Sequence, residues 1–147
     1  MAIHFHIETD CDAPLEKVFA YVTDYRNVHE WLYGISKFVP ITELDRGLGA
    51  TFEGTIHLGA TLHSTVETTA FEEGKFFELD AIKGFKVTTR WSFEALDAKR
   101  TRINADVTYS LPGGIAGKAL GKVIEPFVKI AIRHSSEHLA KNAAALV

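Results

Sequence analysis

Cysteine is almost absent from this chain. Cys11 is the only one in 147 residues, so no internal disulfide forms and the fold must rest on its core. That fits a reducing compartment. Long apolar runs are lacking too. The most apolar stretch, VIEPFVKIAI, is interrupted by Glu125, Pro126 and Lys129, far short of the roughly 20 residues that cross a bilayer. The N-terminus has no basic segment followed by an apolar run, so no signal peptide is expected. Positive charge is not in excess: 16 Lys and Arg face 19 Asp and Glu, a formal net charge of −3. That gives no general attraction to nucleic acid. Repeats, linkers and low-complexity segments are missing as well. These absences predict a cytoplasmic protein of one domain, 1–147, that neither spans a membrane nor binds nucleic acid. They leave monomer and homodimer open.

What is present is ordinary globular material, 46% hydrophobic and 24% charged. At this length folding buries roughly two-thirds of the unfolded chain's surface. Ile3, Phe5 and Ile7 alternate with His4, His6 and Glu8, the period of a half-buried strand. Asp12 and Pro14 then signal a helix start, with Asp as the cap. Leu15, Val18, Phe19 and Val22 follow at helical spacing. Asp24 reads as the cap of a second short helix carrying Val28, Trp31 and Leu32, closed by Gly34. Strand signals fill residues 35–44 and then 51 to 111, with turns at Gly59–Ala60, Glu73–Gly74 and Lys83–Gly84. With the first strand they predict about seven antiparallel strands.

Pro112, Gly113 and Gly114 break the last strand, and the period becomes helical from about Ile115. Leu120, Ile124, Phe127, Ala131, Ser135, His138 and Asn142 fall within roughly an 80° arc. Lys118, Lys122, Glu125, Lys129 and Arg133 fall opposite, which reads as a solvated outer face. Pro126 is expected to kink or restart the helix.

Four segments carry a resemblance: APLEKVFAYVTD after the first strand, the EWL of Glu30 to Leu32, the WSFE of Trp91 to Glu94, and the YSLPGG of Tyr109 to Gly114 before the last helix. In this order the chain resembles the polyketide cyclase/dehydrase-like group of the START and birch-pollen-allergen (SRPBCC) superfamily over nearly its whole length. The resemblance implies an α+β helix-grip fold: a curved antiparallel sheet around a long C-terminal helix, with two short helices after the first strand. It also implies an apolar cavity between sheet and helix. It transfers no catalytic residue, because the group has no universal catalytic motif.

Under that fold the inward strand phases name the cavity. Phe52 and Ile56 stand on one strand; Leu62, Ser64 and Val66 on the next; Leu79 on the third. Thr89, Trp91 and Phe93 follow, then Val107 and Tyr109. Phe127 and Ala131 of the last helix face them. The bland alternative is that these residues fill a solid core; the resemblance favours a pocket. Ser135, His138 and Asn142 are polar groups on the helix's apolar face, costly there unless bonded. They are candidate ligand contacts, with His138 and Tyr109 the candidate proton-transfer pair. Arg90 has the outward phase and would turn inward only through a bulge.

No cofactor is specified by any motif, and no metal site is expected. His4, His6 and Glu8 share a strand face, but the apolar residues between them turn that face to water. His57 and His63 flank the Gly59–Ala60 turn and read as exposed residues opposite each other. The function expected first is binding of a hydrophobic small molecule, such as a lipid or an aromatic, polyketide-like metabolite, for transport or sequestration. A cyclase or dehydratase working in the same cavity is the second expectation. A regulatory protein-interaction module is the third.

Overall fold

The computed structural model describes residues 2–146. Seven antiparallel strands form one sheet: β1 (Ala2–Cys11), β2 (Ile35–Pro40), β3 (Thr51–His57), β4 (Thr61–Glu72), β5 (Phe76–Gly84), β6 (Lys86–Asp97) and β7 (Arg100–Ser110). Their order is β1-β7-β6-β5-β4-β3-β2. The sheet curves around α3 (Gly114–Ala144), and α1 (Leu15–Thr23) and α2 (Val28–Trp31) join its two edge strands. This is the helix-grip architecture.

Each element follows from local chemistry. The alternation in β1 puts Ile3 opposite Tyr109 and Phe5 opposite Val107 on the inner side. His4 and His6 face outward, and both meet the same oxygen, Asp106 Oδ1, at 3.3 and 2.8 Å. Helix α1 is capped by Pro14 rather than Asp12: the Pro14 carbonyl accepts from Lys17 and Val18 at 3.1 Å, and no side chain caps the helix. Asp24 does cap, accepting from the Arg26 amide at 3.0 Å, but the turn it opens is a 3-10 turn over Tyr25–Asn27 ahead of α2. The second strand stops at Pro40, so residues 41–50 form a loop where a longer strand is expected from the sequence.

Helix α3 runs through Pro126 without a break. Pro126 is exposed, so the carbonyl it leaves without an N–H partner can turn to water. Among the described residues, no helix is long and apolar enough to cross a membrane.

Packing divides the interior. Around Phe19 the space is solid: its ring meets Phe71, Phe77 and Phe93 edge-on at 5.6, 6.4 and 5.3 Å. Helix α1 supplies that plug, because Val18 and Phe19 are its inward residues. Beyond the plug, sheet and α3 separate.

Candidate functional site

The gap between them is an apolar cavity of about 270 Å³. Strand alternation supplies one wall. Phe52 and Ile56 line it from β3, Leu62, Ser64 and Val66 from β4, and Leu79 from β5. Thr89 and Trp91 line it from β6, and Val107 and Tyr109 from β7. Helix α3 supplies the other wall through Ile124, Val128, Ala131, Ile132, Ser135 and Ser136. The third wall is built by Val22 of α1, Tyr25 of the 3-10 turn, Val28 and Trp31 of α2, and Leu32. Arg46 and Gly47 of the loop 41–50 bound one end.

Four residues expected at the cavity lie elsewhere. Phe93 has the inward phase, but α1 covers it, and it packs against Phe19 and Phe77 in the solid part of the core. Phe127 is 37% exposed. The real inner face of α3 is rotated away from it, and Phe127 lies instead over the β3–β4 turn. There Gly59, at φ +76°, has no side chain; a Cβ would meet the Phe127 ring at 2.7 Å. His138 is only half-buried, and its Nδ1 lies 2.9 Å from the carbonyl of His134 in its own helix. It is not on the cavity wall, so no proton-transfer pair with Tyr109 forms. Asn142 is structural: its Nδ2 donates to Glu30 O at 3.0 Å and Tyr21 Oη at 3.2 Å, tying α3 to α1 and α2.

Of the remaining polar candidates, Ser135 and Ser64 also serve the fold. Ser135 Oγ accepts from the Tyr33 amide at 2.9 Å, and Ser64 Oγ donates to Phe85 O at 2.7 Å. Tyr109 sits among Phe5 and Phe85, with ring centroids 6.2 and 5.9 Å away. Burial, and secondarily the Glu125 carboxylate, push its phenol pKa up, so it stays protonated at neutral pH. Arg90 points outward, paired with Glu78 at 3.1 Å and stacked 4.3 Å from the Phe76 ring centroid. His57 and His63 are not opposite each other; they pair with Thr61 and Thr55 in the register.

One wall residue is anomalous. Trp31 is 6% exposed, and its Nε1 is sealed from solvent with no hydrogen-bond partner among the described residues. A buried N–H in that state costs about 1–3 kcal/mol. In the sequence Trp31 stands as one residue of a short helix and of the EWL segment, with no sign of an unpaired N–H. Tyr25, Phe38, Phe71 and Phe85 also line the cavity. Tyr25 and Phe85 stand in turns and Phe71 near the end of β4, while Phe38 lies inside β2, where a register shift between Ile35 and Lys37 breaks the alternation.

Among the described residues, the titratable side chains on the wall are Tyr25, Tyr109 and Arg46. Arg46 is already engaged: its two Nη groups donate to both oxygens of Glu73 at 2.8 and 2.7 Å. The wall is therefore apolar and aromatic, with a few hydroxyls for orientation.

Comparison with known proteins fits this geometry. The family model described as "Polyketide cyclase / dehydrase and lipid transport" matches residues 2–144. A Thermus thermophilus protein superposes with a TM-score of 0.81 at 17% identity, covering 98% of this chain and 99% of that one. The Zhui aromatase/cyclase of Streptomyces sp. R1128 gives 0.80 at 12% identity, over 97% and 94%. A START superfamily protein of Mycobacterium smegmatis gives 0.75 at 15% identity, over 99% of both chains. At such identities these likenesses speak to the fold. No curated protein sequence matches the chain.

Proposed function

The chain belongs to the polyketide cyclase/dehydrase and lipid transport family, and from that premise we propose that it binds one apolar small molecule in the cavity between sheet and α3. The carrying observation is the cavity itself, about 270 Å³ and walled by aromatic and aliphatic side chains. A dry cavity of roughly 150 Å³ suffices for benzene. The space here suits a bicyclic aromatic or a medium-length acyl chain. Burying about 200 Å² of such a ligand supplies roughly 5 kcal/mol before the costs of association. A few hydroxyls, Thr89 and Tyr109 among them, would set its orientation.

Binding is favoured over acid–base turnover because His138 lies off the wall, which leaves Tyr109 without the expected partner. A cyclase acting through these two residues would need both at the substrate.

The test is native mass spectrometry of the purified protein, followed by organic extraction and by titration with 1-tetralone. A co-purifying apolar compound, or saturable tetralone binding, supports the proposal. Ala131→Phe, which fills the space from α3, should then lower affinity at least about tenfold while the melting temperature holds or rises, because the added ring meets a void rather than packed atoms. A bare mass with no saturable binding sinks the reading.

A further inference from the structure

The outer face of α3 is not the plain polar surface its basic stripe suggests. Ile115, Val123, Phe127 and Ile130 are 88, 46, 37 and 48% exposed. Ala119 and Pro126 are exposed between them. At 1.5 Å and 100° per residue these six form one ridge about 22 Å long. Exposed apolar side chains are ordinary singly, but a contiguous row marks a contact surface.

Lys118, Lys122, Lys129 and Arg133 run along one side of the ridge, by the same helical geometry. All four are exposed. Seven lysines and arginines elsewhere in the fold are ion-paired. Among the described residues, none of these four is in an ion pair. Helix α3 holds five Lys and Arg against Glu125 and Glu137, although the chain as a whole carries a formal charge of −3. These four cations, with Glu125 among them, thus border a face that also exposes an apolar row.

We propose that this face of α3 docks on an anionic lipid surface, with Val123, Phe127 and Ile130 entering the interface and the four cations meeting lipid phosphates. That division of labour is how an amphipathic helix lies in a membrane plane. Charge complementarity selects the occupant: a second copy of the chain would bring further cations to the same contact, whereas an anionic bilayer offers dense negative charge. The surface lies outside the cavity, so it is tested on the protein without ligand.

Flotation with vesicles of phosphatidylcholine alone, or mixed with phosphatidylglycerol, reads the interaction directly. The full chain should float with the mixed vesicles, weakly with the neutral ones, and less as salt rises. Lys122→Gln and Lys129→Gln should each lower partitioning about fivefold. Val123→Ser combined with Ile130→Ser should lower it as well, with circular dichroism unchanged. Lys75→Gln, on a distant turn, should leave it unaltered. No flotation with mixed vesicles, or flotation indifferent to the α3 substitutions, overturns the proposal. So does a concentration-dependent dimer that Ile130→Glu dissociates, which would assign the ridge to a second copy.

Discussion

Trp31 and Trp91 meet edge to face at the cavity wall, ring centroids 5.3 Å apart and planes at 74°. The pair joins α2 to β6, and the Trp31 indole N–H ends it without an oxygen or nitrogen to bond. A ligand carbonyl that reached this N–H as the neighbouring side chains shifted would relieve that deficit. Wild-type protein should therefore bind 1-tetralone more tightly than tetralin, which lacks the carbonyl. Trp31→Phe keeps an aromatic ring and removes the donor, so the preference should shrink about three- to tenfold, the worth of one hydrogen bond. Calorimetric titration of both probes checks this. An unchanged preference would mean the indole N–H never reaches the ligand.

Helix α3 carries two polar residues with unequal expected costs. Asn142 donates to both Tyr21 and Glu30, so Asn142→Ala should destabilise by about 1–3 kcal/mol, because both bonds from α3 to the short helices are lost. His138 contacts only a carbonyl of its own helix, and His138→Ala should stay within about 0.5 kcal/mol. Denaturant midpoints of the two variants decide it. Equal losses would contradict the assignment of Asn142 as the tie.

That contrast shows where the sequence is legible. Strand alternation names the sheet wall well: Phe52, Ile56, Leu62, Val66, Trp91 and Tyr109 all line the cavity, despite register shifts in β4 at Thr65/Val66 and Thr68/Ala70. Period two leaves only two faces to choose from. A helix offers a continuum. Phe127 pulls the expected face of α3 towards itself, while the observed face turns about 60° away. Gly117, Ser136 and Ala143 are buried there, and small or polar residues carry no hydrophobic signal to mark it. Phe93 fails for another reason: its phase is right, but which helix covers that end of the strand is a tertiary fact.

Arg46 clips the loop 41–50 shut. It grips Glu73 with two bonds, donates from Nε to Thr23 Oγ1 at 3.0 Å, and lies 5.2 Å from the Phe71 ring centroid. The exposed ion pair alone is worth about 1 kcal/mol or less. Arg46→Ala also loses the Thr23 bond and the stacking, so amide exchange at Gly49 and Ala50 should speed more than in Glu73→Gln. Ligand release should speed too, because Arg46 bounds one end of the cavity. The guanidinium holds the Glu73 carboxyl below its ordinary value of 4.5. A lowered carboxyl stabilises the clip above that value and loses it as pH falls through the lowered one. Protection that is insensitive to Arg46→Ala would refute the clip.

Tyr21 should make the fold sensitive to alkali. Its hydroxyl donates to Glu30 Oε1 at 2.8 Å. Burial first, and the Glu30 carboxylate second, push its pKa from 10.0 to about 12. Ionisation would place a phenolate beside a carboxylate in a poorly solvated pocket. A phenol whose pKa is raised in the fold holds its proton more tightly there than in the unfolded chain. Its stabilisation is therefore complete below pH 10.0 and disappears as pH rises towards about 12. Tyr21→Phe lacks this linkage and also lacks the bond to Glu30, so it starts less stable at neutral pH. The other tyrosines and the lysines titrate in both proteins and cancel in the comparison. The gap between the two proteins in denaturant unfolding should hold constant to pH 10.0 and then close over the window up to about 12. A gap that stays constant through that window would mean Tyr21 ionises as an ordinary phenol, and that Glu30 exerts no hold on it.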